Sequence, residues 1–425
     1  MAENASNEPR RLKVLLSAFS CGPGRGSEPG VGWNWVQQVS RKHEVWLLTM
    51  DEFAVELREL LPANVHLQVL PSFAFWHRLQ RLPVPGLDWI YYYWWQWKAY
   101  RVARRLHAQV GFDLAHHVTF VSWRAPSFLS LLPVPLIWGP VGGGGIPPRE
   151  LWSELGWAGG WFERLRQWLQ HLPRWDPTVR LTMRRAALIL VANRETAALI
   201  PARFQSKVTM MLGIGMSANE TRGFNDAVSS KEGFIVLFAA VLRPIKGGAL
   251  ALRAFKALTR TRPDATLVFV GDGAERARLA ALASDLGLAD RVQFQGWLPR
   301  EKVQEWMRSA DVLLLPSLRD SGGMVLMEAM MAEKPVVCLD LGGPGEIVTA
   351  ECGFKVRPGT PAQVVSDLAA ALEGLAGDPS LRRAMGEAGR RRVLEHFDWD
   401  HRGERMMELY DRCKLASRSA MKNGG

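Results

Sequence analysis

The chain has no run of about twenty apolar residues, so nothing in it reads as a transmembrane helix. The nearest stretch, Val118 to Ile146, is interrupted by Arg124, by four prolines and by a cluster of glycines. Cysteine is scarce. Cys21, Cys338, Cys352 and Cys413 are widely spaced and form no CxxC pair, which excludes a zinc ribbon and a disulfide scaffold and predicts isolated thiols in a reducing, cytoplasmic setting. Acids are in deficit, 42 against 53 Lys and Arg, for a formal net charge of +11. An anionic partner is expected: nucleic acid, an acidic membrane surface or a phosphorylated small molecule.

Hydrophobic residues make up 48% of the chain and charged residues 22%, a globular balance, and 425 residues suit two or three domains. "RRLKVLLSAFSC" imitates a lipoprotein leader. Its apolar part is too short, and Phe19 stands where a small residue is required before Cys21, so Leu12 to Phe19 is expected to be a first buried strand after a polar tail.

Short apolar runs alternate with helical patterns throughout. "LKVLLSAF", "EVWLLTM", "VHLQVL", "FDLAHHV", "PLIWG" and "LILVAN" read as parallel strands in the first half. "FIVLFAA", "TLVFVG", "RVQFQG", "DVLLLPS" and "PVVCLD" do so in the second. The expected class is α/β, with two doubly wound sheets. The polar, aperiodic stretch Gly215 to Gly233 is the expected linker.

Composition changes across that linker, since 15 of the 18 tryptophans precede residue 176. Residues 76–107 carry six Lys or Arg and one acid, Asp88. In "WFERLRQWLQHL" (161–172), Trp161, Leu165, Trp168, Leu169 and Leu172 share one helical face, with Arg164, Gln167, Gln170 and His171 on the other. Two readings stay open: a basic amphipathic surface on an anionic bilayer, or helices that turn their apolar faces to a core.

Ligands of parallel sheets bind beyond the carboxyl ends of the strands. After the first expected strand comes "CGPGRGSEPGVGW", where Pro29-Gly30 would open a helix whose amides suit a phosphate or a sugar hydroxyl. Ser27 breaks any dinucleotide fingerprint there. His116 and His117 end another strand, and because neighbours on a strand point to opposite faces, at most one should face a cleft. Gly142 to Gly145 form a loop that is either mobile or pressed against a ligand, with the second preferred.

In the second half, "FAAVLRPIKGG" sets Arg243 and Lys246 after a strand and before Gly247-Gly248, a pattern that suits a pyrophosphate. "VFVGDGAE", with Gly271, is a second strand-to-glycine turn. "PSLRDSGGMVLMEAM" (316–330) places Gly322-Gly323 at the start of a helix, where unpaired N–H groups favour phosphate. Asp320 precedes those amides and can take sugar hydroxyls, and Glu328 can hold a ribose diol, because a carboxylate accepts two hydrogen bonds.

The acid-x7-Glu spacing from Asp320 to Glu328, with "LRPIKG", "VGDG", "QGWLPREKVQEWMRSADVLLLPS" and "GGPGEIV", resembles glycosyltransferase family 4 of the GT-B fold. "GPGRGSEPGVGWNW", "HHVTFVSWRAPS", "WGPVGGGG" and "ANRETA" are similar to a bacterial branch of it, and "FDWDHRGERMMELY" resembles its last helix, which crosses back to the first domain. The resemblance implies two Rossmann-like domains facing across a cleft: residues 1–225 for the acceptor, residues 226–395 for the nucleotide sugar, and a crossing helix over 396–416. It implies retaining sugar transfer from a nucleotide sugar, without a metal or other cofactor, to a saccharide or polyprenyl-linked acceptor of bacterial polysaccharide synthesis.

By position, Lys246 matches the pyrophosphate lysine, Glu328 the ribose-binding glutamate, Asp320 the acid on the donor sugar, and Gly323 and Met324 the amides after it. Gly247, Gly271, Trp297, Gly322 and Val325 fall in the same donor-side motifs, and Gly30, in the first-half glycine motif, is expected to join them at the ligand. The sequence departs from the pattern at three places. Asp320 stands where Glu is usual, Val241 holds the arginine position with Arg243 nearby, and Val118 holds the second position of a His-x-His pair, so the choice between His116 and His117 stays open. Asp398-Trp399-Asp400 spells a metal-type triplet but is expected to cap a helix. Rival readings are a GT-B nucleotide-sugar epimerase or hydrolase, and a non-enzymatic basic protein on membrane or nucleic acid. No nucleic-acid recognition motif is present in the sequence.

Overall fold

The apolar runs fold as parallel strands in a computed structural model that describes residues 11–72, 87–170, 175–216 and 233–423. Seven form the first sheet: β1 (Lys13–Ser17), β2 (Glu44–Met50), β3 (Val65–Leu70), β4 (Leu114–His117), β5 (Leu136–Val141), β6 (Ala186–Val191) and β7 (Val208–Met210), in the order β3-β2-β1-β4-β5-β6-β7. Six form the second: β8 (Ile235–Ala239), β9 (Thr266–Val270), β10 (Val292–Phe294), β11 (Val312–Leu315), β12 (Val336–Leu339) and β13 (Gly353–Val356), in the order β10-β9-β8-β11-β12-β13. The central strands β1, β8, β11 and β12 read as nearly unbroken apolar runs because helices cover both faces of each sheet, whereas the edge strands β3, β7 and β10 carry polar residues. The edge strands β7 and β13 were not anticipated from the sequence. They are three and four residues long, and β13 opens on a glycine, so neither offers a periodic apolar run.

In the first lobe the helices are α1 (Ser27–Ser40), α2 (Ala54–Leu60), α3 (Leu87–Val110), α4 (Gly156–Leu169), α5 (Pro177–Arg185) and α6 (Arg194–Leu199). The second lobe has α7 (Gly248–Leu258), α8 (Arg276–Asp285), α9 (Arg300–Ser309), α10 (Met324–Met331), α11 (Gly342–Ile347), α12 (Pro361–Gly377) and α13 (Pro379–His396), and α14 (Trp399–Asn423) follows. Strand alternation divides the first core. Val14 and Leu16 pack on the face shared by Trp35 of α1 and Tyr410 of α14, whereas Leu15 packs on the opposite face with Trp95 of α3, Trp123 and Trp138.

The chain passes between the lobes along two adjacent strands of backbone. The Met216 N–H donates to Phe397 O at 2.8 Å and the Trp399 N–H donates to Met216 O at 3.1 Å. Most of the expected linker, residues 217–232, lies outside the described residues. After this crossing, α14 returns to the first lobe, with the Trp35 and Trp399 rings edge-to-face at 5.2 Å. Each large apolar side chain buried there contributes about 1.5–3 kcal/mol. The Asp398 carboxylate accepts the Asp400 N–H at 2.8 Å, and Asp400 pairs with Arg41 at 2.6 Å and takes Gln38 Nε2 at 3.0 Å. The Asp-Trp-Asp triplet therefore starts α14 and ties it to α1.

Candidate functional site between the lobes

The order of the second sheet reverses at β8, whose neighbours are β9 and β11. Loops leaving β8 and β11 diverge at such a reversal and open a crevice. Lys246 ends the loop after β8 and Asp320 lies in the loop after β11, and their side chains meet there at 2.5 Å. Asp320 also accepts the Gly322 N–H at 3.1 Å. Its position is fixed from behind by the Gly342–Gly345 segment, because the Gly343 N–H donates to Asp320 O at 2.8 Å and a Cβ on Gly342 would stand 2.1 Å from that oxygen.

Gly323 caps α10 in the left-handed region, at φ 89°, where an L side chain is strained. No side chain caps this helix, so the amides of Gly323, Met324 and Val325 have no intrahelical acceptor and carry the positive end of the helix dipole. Met324, Val325 and Glu328 are the half-exposed residues of α10, whereas Leu326, Met327 and Ala329 are buried. Glu328 is thus on the stripe that continues from the uncapped amides. Gly247 takes φ 75°, and a Cβ there would lie 2.1 Å from Pro316 O, so glycine lets the loops of Lys246 and Asp320 touch.

Arg243 is exposed at the start of the Lys246 turn and has no ion-pair partner among the described residues. Val241, at the expected arginine position, is an exposed apolar side chain. Gly271 packs the turn after β9 onto the one after β8, as its absent Cβ would meet Ala240 O at 2.1 Å. Trp297 stands apart from this group: it follows β10, the edge strand two places from β8, and is largely exposed. Gly30 lies in the first turn of α1 with the Arg25 carbonyl filling the space of a side chain. That packing accounts for the glycine without any ligand.

The two histidines divide as strand geometry requires. His116 Nδ1 meets Tyr410 Oη at 2.6 Å and its Nε2 meets Gly139 O at 2.7 Å, so it has no nitrogen left for a substrate. It clamps α14 to the sheet. His117 points to the α3 side, with its ring edge-to-face with Tyr92 at 6.5 Å, and neither of its nitrogens has a hydrogen-bond partner at normal geometry. Burial keeps both neutral: it lowers His116 to about 4, opposed by the Gly139 carbonyl, and His117 to about 3, with His116 adding to the depression.

The tetraglycine loop is pressed against protein rather than left to move. The Gly143 carbonyl accepts from Arg166 at 3.0 Å and from Gln170 at 3.1 Å, and Arg166 reaches the Gly145 carbonyl at 2.9 Å. A Cβ on Gly142 would sit 3.6 Å from Ser321, the residue after Asp320. Glu163, only 2% exposed, bonds Arg319 of the second lobe and Arg166 of its own helix. Burial first, then Arg319, pushes Arg166 down to about 10, and the same two causes lower Arg124. One carboxylate against three guanidiniums leaves a positive wall beside Asp320. Sequence reasoning missed this wall, because Arg124, Glu163 with Arg166, and Arg319 come from distant segments with no motif between them. A second latch joins Arg194 to Asp340 at 2.6 Å and to Glu346 at 3.0 Å.

Residues 220–392 match the family model described as glycosyl transferases group 1. The D-inositol 3-phosphate glycosyltransferase of Jonesia denitrificans is 32% identical over a region covering 44% of this chain and 45% of that protein. The GDP-mannose-dependent alpha-(1-6)-phosphatidylinositol monomannoside mannosyltransferase of Mycolicibacterium smegmatis is 35% identical, over 41% of this chain and 47% of that one. The chain thus spans less than half the length of these curated relatives. HepE from Anabaena, solved with UDP, superposes with a TM-score of 0.60 at 17% identity, covering 94% of this chain and 100% of HepE. The fold is therefore that of the GT-B glycosyltransferases, and the second lobe carries the match to glycosyl transferases group 1.

Proposed function

We propose that the protein is a retaining glycosyltransferase that moves a hexose from a nucleotide sugar to a saccharide or polyprenyl-linked acceptor in bacterial exopolysaccharide or lipopolysaccharide synthesis. The observation that carries this reading is the convergence of Lys246, Asp320 and the uncapped α10 amides at the strand reversal, with Glu328 on the same helix stripe. The arrangement supports a bound diphosphate: Lys246 and the amides of Gly323 and Met324 hold its oxygens, Arg243 closes on it from the rim, and Glu328 takes the ribose diol. Gly322 and Val325 flank that cradle.

Breaking the sugar–phosphate bond leaves the electron pair on the diphosphate and positive character on the sugar ring. Lys246, Arg243 and the α10 amides stabilise the growing anion, and each such donor contributes about 3–4 kcal/mol to the transition state. In this reading these donors do the work without a metal. Asp320 accepts donor-sugar hydroxyls. His117, buried with its ring beside the Phe120 backbone, is the histidine left to orient the sugar, as a neutral imidazole. The acceptor hydroxyl attacks from the side the diphosphate leaves, which retains the configuration, and its proton passes to the leaving phosphate. The Arg124–Arg166–Arg319 wall favours an anionic substrate across the cleft. Peripheral contact with an anionic membrane, on the cytoplasmic side, brings the chain to a lipid-linked acceptor.

Product formation from a panel of nucleotide sugars with lipid-linked and soluble acceptors tests the proposal. Lys246→Ala and Glu328→Ala should abolish transfer with the fold intact by circular dichroism. Full activity in either variant removes the assignment, and donor turnover equal with and without acceptor replaces transfer with hydrolysis or epimerisation.

A further inference from the structure

A surface helix of a folded domain normally buries its apolar stripe and exposes its polar one. Helix α4 does the reverse. Trp157, Trp161, Phe162, Leu165 and Trp168 are all more than half exposed, Trp161 at 58% and Trp168 at 61%, while Glu163 and Gln170 are buried. At 100° per residue the exposed apolar side chains span one arc, and Glu163, Arg166 and Gln170 occupy the opposite arc. The inversion has a local cause. The inner arc is polar because it binds the Gly143 and Gly145 carbonyls and Arg319, and this leaves the apolar arc nothing of the described protein to pack against.

The chemistry around this arc selects one occupant. Open grooves of about 300 and 590 Å³ run beside Trp152, lined by Trp157, Trp161 and Arg164 on one side and by Arg149, Arg164 and Trp168 on the other. Arg164 lies over the Trp152 ring at 5.7 Å. Two of the three nearby acids are turned inward, as Glu154 pairs with Arg253 and Glu163 with Arg319; Glu150, beside Arg149, is exposed, so Arg164 is the cation left without an acid beside it. Helix α3 repeats the pattern: Ile90 and Trp97 are exposed, Arg101 lies 4.6 Å from the Trp97 ring and Lys98 lies 4.9 Å from the Trp94 ring. Tryptophan interleaved with cations suits the headgroup layer of an anionic bilayer, where indole sits at the interface and arginine meets lipid phosphate.

We propose that α4 docks flat on an anionic lipid surface through Trp157, Trp161, Phe162, Leu165 and Trp168, with Arg149 and Arg164 on the headgroup phosphates. This gives the membrane contact of the preceding reading a specific element. The same helix holds the tetraglycine loop and Arg319, so the bilayer contact and the cleft wall are two sides of one helix.

The test is sedimentation of the full chain with phosphatidylcholine vesicles, with and without phosphatidylglycerol, at low and high salt. Acceptor is omitted, so the result does not depend on transfer. The wild type should partition onto the phosphatidylglycerol vesicles and release in salt. The triple variant Trp161→Ser/Phe162→Ser/Leu165→Ser should bind at least about tenfold more weakly. Arg149→Gln/Arg164→Gln should reduce the preference for anionic lipid. Nucleoside diphosphate binding should be the same in the wild type and the triple variant. If neither protein binds any nucleoside diphosphate but the vesicle results hold, the docking surface stands and the transferase reading fails. Equal vesicle binding by the wild type and the triple variant, indifference to lipid charge, or no binding at all overturns the proposal. So does a wild-type dimer in light scattering that the triple variant dissociates, which would make this face a contact between two copies of the chain.

Discussion

Lys246 Nζ lies 2.5 Å from Asp320 Oδ2, although 74 residues separate them in the chain. The contact forms because the loops after β8 and β11 meet where the sheet order reverses. An arriving diphosphate therefore competes with the Asp320 carboxylate for the ammonium. Asp320→Asn removes that competitor and the anionic acceptor of sugar hydroxyls together. Calorimetry should find nucleoside diphosphate affinity held or raised, while transfer falls about a hundredfold or more, since one oriented group at the reacting sugar is worth that much. Parallel losses of affinity and transfer would contradict this division of roles.

Glu328 is assigned to the ribose and not to the phosphates. Glu328→Gln should weaken nucleoside diphosphate binding about 10- to 100-fold, the cost of replacing charge-assisted hydrogen bonds with neutral ones. Inorganic pyrophosphate, which has no ribose, should bind the variant and the wild type alike.

Glu163 is a buried carboxylate that bonds Arg319 across the lobes and Arg166 within its own. Glu163→Ala leaves both guanidiniums without it and should cost about 3–5 kcal/mol of stability, as removal of one buried partner does. Urea unfolding measures the loss, and small-angle scattering should show a larger radius of gyration as the lobes separate. An unchanged midpoint and radius would mean the contact contributes nothing.

The paired histidines set an acid limit. Both have folded pKa values below 6.5, near 4 for His116 and near 3 for His117. The unfolded chain binds protons at these rings before the native chain does, so each lowers stability as pH falls below about 6.5 and stops adding to the slope once pH passes its folded value. The melting temperature should be level near neutral pH and decline below it. His117→Phe should flatten part of that decline. Tyr410→Phe removes the hydroxyl on His116 Nδ1 and should cost about 1–3 kcal/mol at neutral pH.

The sequence showed the strands where both faces are covered, since Val312–Leu315 and Ile235–Ala239 can be nothing but buried. It also showed the glycines before α10, because a helix without a side-chain cap beside Asp320 has few structural reasons to exist. Lys246 and Asp320 were legible as separate candidates, and the topology rule brought them together. Tertiary contacts decided the rest. His116 and His117 looked equivalent until Tyr410, 293 residues after His117 and 294 after His116, occupied one of them. At Gly30 the sequence suggested a ligand contact, whereas the structure adds a packing reason for the glycine, the Arg25 carbonyl in the place of a side chain. Trp161 and Trp168 could face a core or solvent on periodicity alone. The carbonyls of the glycine loop, which draw Arg166 and Gln170 inward, and Arg319, which bonds Glu163, settle their direction.

The central claim is that a nucleoside diphosphate lodges at the α10 amides and is held by Lys246. Calorimetric titration of UDP, GDP and ADP into the wild type and Lys246→Ala tests it most directly. The account predicts that at least one of the three binds the wild type and that the variant, still folded by circular dichroism, binds it about a hundredfold more weakly. Equal affinity in the two proteins would contradict it.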